Sequence, residues 1–393
     1  MSIFVSILGL AVLILVHEAG HFFVARWVGM KPRKFYIGFG APIAKTVRNG
    51  VEYGIGSIPL GGYVKIPGMH RPAPGDLRAS LRPDDRERLH EHLDRLDEAL
   101  RRGDEEAARE RLRELEPHVG RSRAFQELEG SLAEDAYWRQ TTWKRIVVIA
   151  AGPVTNVLLA IVLFTGIYVT GVPQPSRIVG AVSASSPAAR AGVHEDDKVL
   201  AVAGNRVTPD TLAKRIRATE GRPFTMVVLR DGRRVTIGPL RAERRDGAYR
   251  IGIGIAQPLG PGQTPPHALV SALRVTWDVT SQTISGIGGL IVGRGTDQVS
   301  SSVGIVNASS DAFKASLRDF LGVMGLISLA LALLNLLPVL PLDGGHIVMS
   351  IAERVRGRAF SQSVYMRYAA IGFALFALLL YIGLRNDITN LGG

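Results

Sequence analysis

Apolar residues along this chain fall into two regimes. In four stretches they run almost unbroken: Ile3 to Trp27, Ile146 to Val172, a run from near Phe320 that includes LGVMGLISLALALLNLLPVLPL, and about Tyr368 to Leu384. Runs of this length predict helices able to cross a hydrocarbon core of about 30 Å. Spans are therefore expected at 1–27, 146–172, 320–345 and 368–384. The first reads as a span rather than a signal peptide. Met1 to Val16 carries no charge, and the apolar run resumes as FFVA after an ionisable cluster.

Between these runs the period shortens and polar residues enter. Residues 34–67 read as short strands and turns, KFYIGFG, PIAKTV and EYGIGSIPLGGYVKI, with a hairpin turn signal at Arg48 to Gly50. Glycines 54, 56, 61 and 62 leave this ribbon little bulk, so another backbone can approach it closely. In 76–117, Leu89, Leu93, Leu96 and Leu100 share one helical face, Gly103 breaks the run, and Ala108, Leu112 and Leu115 form a second stripe. That pattern predicts a charged helical hairpin on the cytoplasmic side, without chemistry of its own. Residues 176–256 read as a small α+β domain: strand RIVGAV, short helix SPAARAG, strands in DKVLAVAGNRV, helix TPDTLAKRIRAT, and a hairpin turning at Asp231 and Gly232. Residues 259–319 are expected to be an extracytoplasmic linker with amphipathic segments.

Composition sharpens this picture. Of 393 residues 46% are hydrophobic, and the mean hydropathy is +0.16. A mixture of spans and folded polar parts fits these values. The net charge of +12 comes with no nucleic-acid motif, so anionic lipid headgroups are the expected partner and nucleic acid is not. Arg26, Lys31, Arg33 and Lys34 follow the first span, and Arg139, Lys144 and Arg145 precede the second. A third basic stretch, AERVRGRAFSQSVYMR, separates the last two. The positive-inside rule puts all these ends in the cytoplasm and the segment from about 173 to 319 outside. The absence of cysteine excludes disulfides and thiolate metal sites.

The chemistry lies in the first span, where LVHEAGHFFVARW holds two histidines and a glutamate. Ionisable residues inside a span cost free energy and mark function. His17 and His21, four apart, project from one helix face and can together hold a zinc ion. Glu18 can reach a water on that ion and take its proton. A hydrolytic zinc needs a third protein ligand, which must be histidine or carboxylate here. Asp343 in NLLPVLPLDGGH is the leading candidate and His346 the competitor. Pro338, Pro341, Gly344 and Gly345 allow local unwinding that would aim a side chain inward.

HEAGH in span one, GPVTN in span two and NLLPVLPLDGG in span three resemble the site-2 protease family of intramembrane zinc metalloproteases. SPAARAGVHEDDKVLAVAGNRV resembles a PDZ domain, as in the family's bacterial branch, and YRIGIGI its peptide-binding strand. The resemblance covers most of the chain. It implies Zn2+ bound by His17, His21 and Asp343, with Glu18 as general base. It implies a substrate-contacting amide at Asn335, able to hold the peptide or stabilise an oxyanion. It also implies that the YGIGSIPLGGY ribbon, with Gly54, Ile55, Gly56 and Ser57, clamps substrate as an extended strand. The implied substrates are single-span membrane proteins already cut outside, anti-sigma factors among them, in regulated intramembrane proteolysis. Peptide termini are a further implied partner, at the PDZ domain, which reads equally as a steric plug.

The expected protein is thus a polytopic α-helical membrane protein of about four transmembrane helices. A membrane-associated β-ribbon and an inserted extracytoplasmic PDZ (α+β) domain complete it. Its expected place is the inner (plasma) membrane, with the active site toward the cytoplasm. A non-catalytic PDZ scaffold is the alternative, but it leaves Glu18 without a use. A metal transporter would need a polar path that the second and fourth spans do not offer.

Overall fold

The computed structural model describes residues 2–245, 248–291, 302–358, 360 and 362–391. The chain divides into two compact units, one formed by 1–165 with 269–393 and the other by 166–268.

The first apolar run is helix α1 (Ser2–Trp27). Strands β1 (Lys34–Arg48) and β2 (Val51–Lys65) follow, joined at Asn49 and Gly50, which both take positive φ. They do not form a plain hairpin. Arg48 pairs with Val51 and Ala44 with Ile55 across the turn, while Lys34 to Ile37 pairs with Glu52 to Ile55 on one side and with Lys65 to Gly62 on the other. The two strands thereby make four short segments in the order 44–48, 51–55, 34–37, 62–65. Gly56 and Gly62 permit this folding back: a Cβ on either would sit 2.3 Å from Phe39 O or 2.8 Å from Tyr36 O.

The helical segment is larger than the expected hairpin. It comprises α2 (Asp76–Ser80), α3 (Pro83–Arg88), α4 (His90–Arg102), α5 (Glu105–Val119) and α6 (Arg123–Leu132). Gly103 ends α4 in the left-handed conformation, and Asp104 caps α5 by accepting from Ala107 N. Leu89, Leu93, Leu96, Leu112 and Leu115 are buried together with Phe125 and Leu128 of α6. Each such leucine contributes about 1.5–3 kcal/mol of burial. The sequence stripes at Leu93 and Leu112 needed α6 as a third wall. Tyr137 N donates to Pro67 O and Trp138 N to Gly68 O, so the end of this segment returns to where it began.

Helix α7 (Thr142–Thr170) is the second apolar run, with Pro153 inside it. The second unit then opens with β3 (Val172–Pro173), β4 (Val179–Val182), α8 (Pro187–Arg190), β5 (Lys198–Val202), β6 (Asn205–Arg206) and α9 (Pro209–Arg217). It continues with β7 (Phe224–Arg230), β8 (Arg233–Leu240), β9 (Glu243–Arg245), β10 (Ala248–Arg250), β11 (Ile253–Ile255) and β12 (Leu259–Gly260). Strands β6, β5, β7 and β8 form one sheet, and β11 pairs with β4. Val199, Val202, Met226, Val228 and Leu240 fill its core with Leu212 and Ile216 of α9. The single strand expected at YRIGIGI is two, split at Gly252 with φ +78, where a Cβ would lie 2.3 Å from Ser186 Cβ.

In 259–319, expected as a linker with amphipathic segments, lie two helices, α10 (Pro265–Ile291) and α11 (Ser302–Ala315), with 292–301 outside the described residues. Helix α12 (Leu317–Asn335) stops short of the expected 345. Pro338 and Pro341 lack amide hydrogens and disfavour helix in the residues before them, so 336–342 is irregular. A new helix, α13 (Asp343–Arg356), starts at Asp343. Gly344 and Gly345 serve close packing rather than a turn, since a Cβ on Gly344 would lie 2.2 Å from Leu336 O. Helix α13 takes in the first part of the basic stretch expected as a loop, and α14 (Gln362–Leu391) begins before the expected 368. Helices α1, α7, α12 and residues 363–382 of α14 are long and apolar enough to cross a membrane.

Candidate metal centre

His17 and His21 lie one turn apart on α1, both buried, with ring centroids 4.8 Å apart and planes nearly perpendicular. Their Nε2 atoms are 3.2 Å apart. Asp343, the first residue of α13, brings Oδ2 to 3.2 Å from His17 Nε2 and 3.4 Å from His21 Nε2. That oxygen is buried without a well-aligned hydrogen-bond donor. Donors bound at about 2.0–2.1 Å around a tetrahedral ion stand about 3.3 Å from one another. Two imidazoles and a carboxylate at these separations therefore fit zinc in ligand type and spacing. Among the described residues this is the only His/Asp/Glu trio so gathered.

The neighbouring helix makes room for them. A Cβ on Gly152 of α7 would lie 2.3 Å from His21 Nε2 and 2.8 Å from His17 Cε1. On the other side, a Cβ on Gly20 would meet Ala151 O and Thr155 Oγ1 at 2.6 Å. Two glycines thus let α1 and α7 cross closely enough for α7 to wall the rings. Thr155 Oγ1 donates to Val16 O at 3.2 Å. His21 Nδ1 is 2.9 Å from Val148 O, and the Asn156 amide nitrogen is 3.3 Å from His17 Nδ1. Each ring is thereby oriented through the nitrogen that faces away from the trio.

Asp343 is held from behind by α13. Glu353, three turns along, pairs with Arg145 of α7 at 2.5 Å, and both side chains are about 95% buried. The other Glu353 oxygen accepts from Phe360 N at 2.7 Å. Ser350 is 3.1 Å from the Tyr137 hydroxyl. Breaking such a buried pair costs about 3–5 kcal/mol, so α13 has little freedom to withdraw Asp343.

Glu18 lies beside the trio and against the ribbon. A Cβ on Gly62 would be 3.2 Å from Glu18 Cγ. The ribbon segment next to the candidate base is therefore 62–65, an edge that no other described strand pairs on its outer side. Gly54 and Ile55, expected to clamp substrate, are paired on both sides, with Tyr36 and Ile37 and with Lys45 and Ala44. Their backbones have no side left for an added strand. Gly56 pairs with Pro42, and Ser57 lies against Gly40. Asn335 ends α12 and donates to Leu331 O at 3.0 Å in its own helix. His346 is half-buried in α13 with its ring 6.1 Å from Tyr365, outside the donor trio. Gly62, Gly152 and Asn156 were not singled out as site residues from sequence. Gly152 and Asn156 are the two ends of the GPVTN motif, which carried the resemblance without giving either a role.

The sequence profile of peptidase family M50 matches residues 5–379. The protein Atu1380 of Agrobacterium fabrum, named provisionally as a zinc metalloprotease, is 30% identical over 405 residues, covering 98% of this chain and 95% of that protein. The metalloprotease MmpA of Caulobacter vibrioides is 29% identical, covering 97% and 94%. The zinc metalloprotease RasP of Geobacillus kaustophilus is 29% identical, covering 98% and 97%.

Proposed function

The chain belongs to peptidase family M50 and is a zinc metallopeptidase with several membrane-spanning helices, and from that premise we propose that it cuts single-span membrane proteins within or beside their transmembrane segment. The observation that carries this reading is the position of the trio. His17 and His21 lie in the second half of α1 and Asp343 at the start of α13, against α1 and α7, helices that can themselves span.

His17, His21 and Asp343 would hold the ion, whose contribution is Lewis-acid activation of a water and a carbonyl. Glu18 takes the proton of the attacking water and returns it to the leaving amine. A transmembrane helix must unwind before its backbone can be attacked, and its freed amides then need partners. The 62–65 edge offers them next to Glu18, so substrate is held there as an added strand. Asn335 would exchange its bond to Leu331 for one to the peptide.

The basic residues flanking α1 and α7 favour a cytoplasmic side for this chemistry and an external one for residues 176–256. That segment reads as a PDZ domain. A groove of about 870 Å³ runs between β11 and α9, lined by Leu212, Ile216 and Ile253. Its external placement between two spans favours a role in obstructing substrates with bulky ectodomains, so that a first external cut precedes this one. Anti-sigma factors are substrates of the fitting kind.

The test is cleavage in reconstituted membranes of paired substrates sharing one transmembrane segment, with and without an ectodomain. Wild type is expected to prefer the truncated form. Glu18→Gln is expected to keep its zinc and lose about 10²–10⁴-fold in rate. Wild-type turnover by a zinc-loaded Glu18→Gln would overturn the assignment of the base, and equal cleavage of both substrates would overturn the obstruction.

A further inference from the structure

His17 and His21 are steadied in different ways. His21 Nδ1 faces a backbone carbonyl, Val148 O, which can only accept. His21 therefore carries its proton on Nδ1 and presents a lone pair at Nε2, the form that ligates a metal. His17 Nδ1 instead faces the side-chain amide of Asn156, nitrogen foremost, at 3.3 Å. An amide N–H donates, so this arrangement leaves His17 Nδ1 as acceptor and its proton on Nε2, where the lone pair of His21 Nε2 accepts it at 3.2 Å. Asn156 is fully buried, and its amide oxygen has no hydrogen-bond partner. A buried unpaired carbonyl costs about 1–3 kcal/mol, and this one lies in the middle of an apolar span.

Ligation through His17 Nε2 requires the opposite tautomer. The proton then sits on Nδ1, where an N–H facing an amide N–H would leave two donors opposed. Half a turn of the Asn156 amide replaces the nitrogen with the unpartnered oxygen and gives Nδ1–H an acceptor. We propose that Asn156 is a positioning residue for His17 whose amide turns to match the ring's tautomer, so that its oxygen secures the ligating form. The backbone of Asn156 is anchored for this, because its carbonyl accepts from Ser328 Oγ of α12 at 2.9 Å. The proposal rests on His17 and His21 being metal ligands.

The experiment measures zinc affinity of the full chain in detergent by competition with a chelator. Asn156→Leu keeps the volume and removes both polar atoms. It is expected to bind zinc about 10–100-fold more weakly, the usual cost of losing a partner behind a ligand histidine. Asn156→Asp keeps an acceptor and is expected to bind at least as tightly as wild type. Nitrogen-15 spectra of histidine-labelled, zinc-loaded wild type should show the His17 proton on Nδ1, shifted in Asn156→Asp. Unchanged affinity in Asn156→Leu, equal losses in both variants, or a His17 proton on Nε2 in the loaded protein would each overturn the proposal. Wild type that takes up no zinc would overturn the metal centre itself, an outcome separate from these.

Discussion

The seam between α1 and α7 and the interior of the 166–268 unit are both closed to solvent, by opposite means. In the unit, Val199, Val202, Met226, Val228 and Leu240 pack as an aliphatic core. At the seam, closure comes from small and polar residues: Gly20, Gly152, Thr155 and Asn156 set around two histidines. The difference follows from the surroundings. Water rewards burying a valine, so a unit bathed in it is held by apolar area. A helix already among apolar neighbours gains little from one more valine. Its partner choice is set by close backbone approach and by hydrogen bonds. The same substitution should therefore have unequal effects in the two places.

The largest effect is expected at Gly152. Adding one methyl with Gly152→Ala puts a carbon 2.3 Å from His21 Nε2, and the rings must move. A displacement near 1 Å in a catalytic constellation can cost about 10²-fold in rate. Cleavage should fall to that extent with loss of bound zinc, while hydrogen exchange in β5, β7 and β8 stays unchanged. Retained zinc and activity would mean that the seam tolerates bulk as the core does.

Removing bulk in the other region is the converse. Leu240→Ala should destabilise the 166–268 unit by about 2–5 kcal/mol, seen as faster hydrogen exchange in its strands. Zinc content and cleavage of a truncated substrate should not change. A loss of zinc would show that the two regions share their stability.

A smaller and pH-dependent effect sharpens the comparison, since the unit also buries a charge, Asp197. Asp197 is fully buried and takes two bonds of 2.7 Å from the Arg230 guanidinium and one of 2.9 Å from His194 N. Burial pushes its carboxyl up, but the Arg230 and His194 bonds outweigh this and hold it below the usual carboxylate range. A depressed folded value stabilises the unit above the unfolded value near pH 4, and the gain disappears as pH falls through the folded one. Melting should thus be flat from pH 8 to about 5 and decline below about 4. Asn at 197 should remove roughly 1.5–3 kcal/mol at neutral pH together with much of that acid slope. An unaltered slope in Asp197→Asn would assign the acid sensitivity elsewhere.

What could be read from sequence followed the same division. HEAGH announced itself because ionisable residues stand out in an apolar run, and the aliphatic stripes of the 166–268 unit announced its strands. The start of a helix at Asp343 was harder to read, because Pro338 and Pro341 mark a break without saying where the chain resumes. The fourfold ribbon was hidden too. Lys34 to Ile37 pairs with two distant segments, and alternation along one strand cannot say which neighbours it takes. That is why sequence alone did not show that Gly54 and Ile55 lie inside the ribbon while Gly62 lies beside Glu18. The role of Asn156 was illegible for a related reason: it depends on an atom of α1 that only the folded crossing brings near.

Tyr137 and Trp138 give their amide hydrogens to Pro67 and Gly68. The chain between these points starts and ends at one place within the same unit, so the closing of that loop is already accomplished at its root. The five-helix segment is in this sense a parenthesis in the sequence. Its two ends being fixed together, a change of length within it adds little loop-closure cost to the ribbon and α7.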